Sequence, residues 1–334
     1  MTEAPHGATA TTRALWFTGP RVAALGEESL APPGPGEAQV ATLWSAISRG
    51  TERLVFEGRV PRSEWERMRA PFQQGAFPFP IKYGYCAVGR VEAGPTDMLG
   101  REVFCLHPHQ ARFNAPIDAL RLLPANTPPR RATLAANMET ALNALWDSGA
   151  SAGDRIAIVG AGVLGLLIAS LAARLPGAEV LVVDKEPLRA AIAESFGARF
   201  VAAAEFTPET QAPADAVFHT SASAPGLALA LACAGMEAKI VEVSWHGEGE
   251  TPVPLGGAFH AKRLSIVSSQ VGRIAPSQRA RWNYARRLDK ALELLSDARL
   301  DALITREVAF DDLPRETRSI LAPDATGLAT VIAY

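Results

Sequence analysis

Three features predict a two-domain α/β fold. The chain has 334 residues, its first third carries short apolar runs broken by Pro and Gly, and apolar strands and helices alternate from about Thr133 onward. That length exceeds one ordinary domain. Regular short strands with turn punctuation read as a β-rich, barrel-like unit. Strands alternating with helices read as a parallel sheet covered on both faces.

In the first third the expected strands are Ala14–Thr18, Ala38–Ser45, Tyr83–Glu92, Glu102–Leu106 and Leu120–Leu123, with the turn cluster Ala31–Gly36 among them. The stretch Val60–Pro80 breaks the pattern with Trp65, Phe72, Phe77 and Phe79, and a long aromatic loop reads as a lid or an interface. Helix Ala132–Ser148 opens the second region. There follow strand Arg155–Val159, helix Leu164–Leu175, strand Glu179–Val183, helix Leu188–Phe196, strand Asp215–His219, helix Gly226–Ala234 and strand Lys239–Val243. Pro276–Ser296 reads as a charged amphipathic helix. Leu303–Phe310 and Leu328–Tyr334 return to strand, so the expected domains are 1–132 with 298–334, and 133–297.

Apolar residues make up 48% and charged residues 20%, as in ordinary globular proteins. Lys and Arg number 33 and Asp and Glu 35, for a net charge of −2. Phosphate binding needs a concentrated basic surface, so no nucleic-acid partner is expected. The longest apolar run, Ile156–Leu175, contains a Gly-rich turn and reads as a buried strand and helix, so no membrane partner is expected either. Met1–Thr12 lacks the apolar core of a signal peptide. The cysteines, Cys86, Cys105 and Cys233, are odd in number with no Cys-x-x-Cys pair. This argues against a disulfide framework and a cysteine-built zinc site, and fits the cytoplasm.

The strongest motif is Gly160-Ala161-Gly162-Val163-Leu164-Gly165. An apolar strand precedes it and an apolar helix follows. The next strand ends in Asp184, nineteen residues beyond Gly165. Together these make a dinucleotide-binding fingerprint. Gly160 permits the tight turn, Gly162 lets the backbone approach a pyrophosphate, and Gly165 lets helix and sheet lie close. The helix start at Val163 and Leu164 offers free N–H groups to the phosphates. Asp184 suits the two adenosine ribose hydroxyls and repels a 2′-phosphate, so NAD(H) is expected over NADP(H). Lys185 and Arg189 lie near and weaken that preference.

With this motif placed, the chain resembles the medium-chain dehydrogenase/reductase superfamily, the alcohol-dehydrogenase-like proteins. The resemblance also rests on Gly84-Tyr85-Cys86-Ala87-Val88-Gly89-Arg90-Val91, Gly100-Arg101-Glu102-Val103-Phe104, Ala141-Leu142-Asn143-Ala144-Leu145 and Phe259-His260-Ala261-Lys262-Arg263-Leu264-Ser265-Ile266. It implies a GroES-like β-barrel domain, then a Rossmann domain, then a return to the first. The zinc-dependent members keep a Cys in the segment matching Ser48-Arg49-Gly50-Thr51-Glu52 and Gly-His-Glu where this chain has Gly84-Tyr85-Cys86. Their third ligand falls near Asn137, with Glu139 close by. The chain looks similar to a zinc-free branch that includes bacteriochlorophyllide-type hydroxyethyl dehydrogenases, so no metal and no zinc are expected. His107 and His109 have no partner motif beside them.

The resemblance therefore implies a zinc-independent NAD(P)(H)-dependent oxidoreductase, acting on a carbonyl or secondary alcohol of a small molecule. Alternatives are an enone or quinone C=C reductase and a catalytically silent nucleotide-binding homologue. Without zinc a side-chain donor must polarise the substrate oxygen. Tyr85 is the first candidate, with Thr51 and Ser48 beside the nicotinamide segment and His107 as a group able to exchange protons near neutral pH. Glu52 reads as a partner for Arg49 or as part of a surface pair. Ser221 and His219 are placed at the nucleotide site, and Val243, Ser269 and Gln270 at the nicotinamide. Arg279, Arg281, Arg286 and Arg287 read as a solvated helix face. Leu264–Val271 is the expected pairing strand of a homodimer or homotetramer.

Overall fold

The computed structural model describes residues 10–334, so the expectation for Met1–Thr12 lies outside the described residues up to residue 9. The chain forms two compact units: the segment up to Ala136 with Ile304–Tyr334, and Asn137–Leu303.

The first unit is built on two sheets. The smaller runs in the order Val22–Leu30, Ala10–Gly19, Ile81–Lys82, Gln74–Gly75. The larger runs Ile304–Ala309, Ala329–Ala333, Glu37–Ile47, Ala87–Ala93, Glu102–Cys105, Arg121–Leu122, with Arg112–Pro116 also paired to Glu37–Ile47. All strand pairs in this unit are antiparallel except Ile304–Ala309 with Ala329–Ala333. This is the GroES-like barrel, with Ile304–Tyr334 part of the same unit. Its core gathers the inward positions of alternating strands, among them Val40, Val91, Val103, Phe113 and Ala115.

Two elements here depart from expectation. Ser48–Glu52 belongs to a helix, Arg49–Phe56, which follows strand Glu37–Ile47 directly and buries Leu54, Val55 and Phe56. The aromatic loop turns its rings inward within its own unit: Phe77 is buried beside Tyr83 at 5.9 Å, and Phe72 lies 5.3 Å from His107. Phe72 and Phe77 thus pack within the first unit.

The second unit carries one parallel sheet in the order Arg199–Ala202, Glu179–Asp184, Arg155–Val159, Ala214–His219, Ala234–Glu242, Ser265–Ser268. Counted along the chain that order is 3-2-1-4-5-6, the doubly wound arrangement that binds dinucleotides where the order reverses. Strands buried on both faces read as continuous apolar runs, as Ile156–Val159 does. The expected helix Pro276–Ser296 starts only at Tyr284, where the Asn283 side chain caps it by accepting the Arg286 N–H. Arg287 is not on a solvated face. It is buried, and its guanidinium donates to Glu139 at 2.9 Å, Asn143 at 2.5 Å and the Val271 carbonyl at 2.5 Å. No helix among the described residues is long and apolar enough to cross a membrane. All three cysteines are unpaired and buried.

Candidate cofactor and catalytic sites

In the second unit the strand Arg155–Val159 delivers the chain to Gly160 at φ +111°, a conformation that favours glycine. A side chain on Gly165 would lie 1.8 Å from the Gly160 carbonyl, so the helix reaches the turn only because residue 165 is glycine, while a side chain on Gly160 would meet Thr220 and Ser221. Gly162 caps helix Val163–Ala172 in an extended conformation, and a Cβ there would point into open space. The first intrahelical bond is Leu166 N–H to Gly162 O. The N–H groups of Val163, Leu164 and Gly165 therefore precede it and face outward as an anion cradle.

Asp184 ends the neighbouring strand. Its Oδ2 accepts from the Ala161 N–H at 2.5 Å and its Oδ1 from the Glu186 N–H at 2.8 Å. Each carboxylate oxygen keeps a second lone pair, which leaves acceptors for two hydroxyls. Lys185 is exposed, 3.7 Å from Glu186, and Arg189 is half-buried nearby.

Beyond the switch point the strand Ala214–His219 ends against the turn, where the Thr220 hydroxyl donates to the Gly160 carbonyl at 2.8 Å. Ser221 is exposed and lies 2.7 Å from His219 Nε2, while His219 Nδ1 lies 2.6 Å from Glu242 Oε2. Burial alone would raise the Glu242 pKa. The hydrogen bond and charge of His219, with the Ser244 donors, hold it below the usual carboxylate value. Val243 is half-buried and Gln270 exposed. Ser269 donates its hydroxyl to Asp147 at 2.7 Å and its N–H to the Glu242 carbonyl, so both its donors are engaged.

In the first unit, helix Arg49–Phe56 holds Ser48, Thr51 and Glu52 together. Ser48 donates its N–H to Glu52 Oε1 at 2.7 Å, and its side chain hydrogen-bonds the Tyr85 hydroxyl. Burial, reinforced by Tyr83, Cys86 and Glu52, pushes the Tyr85 pKa well above its usual value, and Ser48 opposes this. Tyr85 is therefore a protonated phenol at neutral pH. Thr51 is half-buried one turn away.

Glu52 does not pair with Arg49, whose guanidinium donates to the Ala325 carbonyl at 2.8 Å. Glu52 Oε2 instead meets His109 Nε2 at 3.0 Å. His109 Nδ1 meets Ser45 Oγ at 2.8 Å, and Ser45 Oγ meets the Tyr334 hydroxyl at 3.0 Å. Gly84 passes so close that a Cβ would lie 2.9 Å from the His109 ring, and the flanking Tyr83 and Tyr85 rings meet edge to face at 6.0 Å. His107 lies apart from this network, stacked on Phe113 at 3.8 Å. Burial, aided by the charges of Lys82 and His109, lowers its pKa to about 3 against the Pro108 carbonyl's pull. The structure thus gives His107 a packing position and a ring that is neutral at pH 7, not proton exchange there.

Sequence reasoning missed Ser45 and Tyr334, which carry no local motif, and the role of Glu242. A charged residue closing an apolar strand at its carboxyl end was the available signal for Glu242.

Residues 163–290 match the model of a family described as zinc-binding dehydrogenase. L-idonate 5-dehydrogenase from Escherichia coli K-12 superposes with a TM-score of 0.79 at 17% identity, covering 98% of this chain and 99% of that one. A protein from Sinorhizobium meliloti 1021 solved bound to NADP gives 0.78 at 17% identity, covering 97% and 100%. The chain has the medium-chain dehydrogenase fold. An aliphatic (R)-hydroxynitrile lyase from Linum usitatissimum is 23% identical over 203 residues, 56% of this chain and 47% of the lyase. The match thus spans about half the length of that curated relative. The family description implies zinc, which takes thiolate, imidazole or carboxylate ligands. By the resemblance, the ligand positions of the zinc-dependent members fall in the segment Ser48–Glu52 and at Tyr85 and Cys86, with a third near Asn137; Ser48 and Tyr85 offer hydroxyls there in place of thiolate and imidazole.

Proposed function

We propose that the chain is an NAD(P)(H)-dependent oxidoreductase that moves hydride to or from a carbonyl or secondary alcohol of a small molecule, with no metal at the reacting oxygen. The observation that carries this reading is the Gly160–Gly165 turn, whose glycines and free helix N–H groups are shaped for a dinucleotide pyrophosphate. The nicotinamide supplies the hydride when bound. Gly162, Val163 and Leu164 hold the phosphates, and Asp184 takes the adenosine ribose, which favours NAD(H) over NADP(H). Ser221, Val243, Ser269 and Gln270 complete the nucleotide site.

Tyr85 donates a hydrogen bond to the substrate oxygen as charge develops there. Its raised pKa supports a donor that holds its proton until hydride transfer forms the alkoxide and then gives it up, the phenol regaining a proton from solvent through Ser48. Ser48 orients the phenol, and Glu52 fixes Ser48 through its backbone. The neutral oxygen donors at Ser48 and Tyr85 support the metal-free step. The exposed edge strand Ser265–Ser268 supports a homodimer formed by sheet pairing, and the unpaired cysteines support a cytoplasmic setting.

The test is calorimetry with NADH and NADPH, followed by chelator-treated turnover of a panel of ketones, aldehydes and secondary alcohols. Uptake of neither nucleotide overturns the reading. Turnover that a chelator abolishes while nucleotide uptake and Tm stay unchanged overturns the metal-free step, and a monomer in sedimentation overturns the dimer.

A further inference from the structure

We propose that His219, Glu242 and His246 form a binding site for one divalent transition-metal ion of the zinc class. Parallel pairing sets His219 directly opposite Glu242 at the carboxyl edge of the sheet, and the chain then turns back through His246. Glu242 Oε2 lies 2.6 Å from His219 Nδ1 and 3.5 Å from His246 Nε2. The imidazole rings are 6.1 Å apart with 23° between their planes. The three ligating atoms lie within 4.8 Å of one another, the one such group of His, Cys, Asp and Glu among the described residues.

The outward atoms supply an independent argument. His219 Nε2 rests on Ser221 Oγ at 2.7 Å and His246 Nδ1 on Thr251 Oγ1 at 2.9 Å. Metal-binding histidines hold their far nitrogen in this way, which fixes the ring and directs the other nitrogen at the ion. Glu242 Oε1 accepts the Ser244 N–H at 2.8 Å, which leaves Oε2 for the shared centre. Two imidazoles and one carboxylate make a three-ligand set with a further position for water, and they favour zinc-like ions over magnesium or calcium.

Ligands about 2.0–2.2 Å from a tetrahedral ion stand roughly 3.4 Å from one another. The His246 to Glu242 spacing is already of that size, and the His219 to Glu242 contact opens by less than about 1 Å. The ion enters from the His246 side, since His246 and Glu242 keep some exposure while His219 is enclosed.

The cluster lies wholly within the second unit and its test reads metal uptake, so it stands or falls apart from the oxidoreductase reading. The untagged full chain, stripped with chelator, is titrated with Zn²⁺ by calorimetry and with Co²⁺ by visible absorption. One equivalent is expected, with the visible bands of a tetrahedral or five-coordinate site. His246→Ala and Glu242→Gln are expected to weaken uptake at least tenfold, and Zn²⁺ to raise the Tm of the parent chain but not of His246→Ala. Cys86→Ser is expected to leave uptake unchanged. No stoichiometric uptake, or uptake that survives in His246→Ala and Glu242→Gln, overturns the site; loss of uptake in Cys86→Ser alone places the ion in the first unit and overturns it too.

Discussion

Glu52 Oε2 and His109 Nε2 meet at 3.0 Å with both side chains fully buried, although 57 residues separate them in the chain. A buried carboxylate is costly unless paired and hydrogen-bonded. Here both oxygens are satisfied, one by the imidazole and one by the Ser48 N–H, and the imidazole passes the connection on to Ser45 and Tyr334. The pair therefore anchors the start of helix Arg49–Phe56, the segment that carries Ser48.

Removing one partner leaves the other uncompensated. Glu52→Ala is expected to cost about 3–5 kcal/mol in denaturant unfolding. Glu52→Gln keeps an acceptor for Ser48 and a donor for His109, so about 1–2 kcal/mol is expected. Equal losses in the two variants would refute the network.

Gly165→Ala drives a methyl group to within 1.8 Å of the Gly160 carbonyl. The helix must shift off the turn, with an expected loss of roughly 2–4 kcal/mol in stability. NADH affinity, read by calorimetry, should fall with it. Gly162→Ala, whose Cβ meets open space, should retain stability yet lose nucleotide affinity.

Asp184→Ala removes the ribose acceptor and the negative charge that opposes a 2′-phosphate. NADH binding should weaken by about ten- to a hundredfold, as for one or two lost charged hydrogen bonds, and NADPH binding by less. Titration of both nucleotides into both proteins checks the change in preference.

Protonation of His107 is linked to folding. Its pKa falls from 6.5 to about 3 on burial, so between those values the unfolded chain binds a proton that the folded chain does not. Stability is therefore complete above about pH 6.5 and is lost progressively as pH falls toward 3, by roughly 3–5 kcal/mol. In His107→Gln, measured by urea unfolding across that range, the pH slope should shrink by about one proton.

The Gly160 turn was legible because its constraints are local: spacing, an apolar strand before it, an apolar helix after it. Asp184 followed from a fixed interval. The strands of the parallel sheet were legible as unbroken apolar runs, with Arg199–Ala202 too short to register. Strand Val22–Leu30 was not legible, since its Gly26, Glu27 and Glu28 suit a strand only through pairing with Ala10–Gly19. Helix Arg49–Phe56 was hidden by Gly50 and by a turn-like opening, and burial of Leu54 and Phe56 outweighs that propensity. Arg287 looked solvated because its partners, Glu139 and Asn143, lie over a hundred residues away. The Glu52, His109, Ser45 and Tyr334 network was illegible because its links span 57, 64 and 289 residues with no local motif.

Strand Ala329–Ala333 pairs with Glu37–Ile47, with Ile332 opposite Ser45. A ribosome adding roughly 5–20 residues per second makes the two strands tens of seconds apart. Throughout that interval the Trp44–Ile47 edge, which Ala329–Ala333 later covers, is bare backbone and a template for stray strands. Asn137–Leu303, synthesised meanwhile as one continuous stretch, has every strand of its own sheet already in hand. Nascent-chain proteolysis should thus find the nucleotide-type sheet protected first, and the earlier-made barrel only after the closing strand emerges.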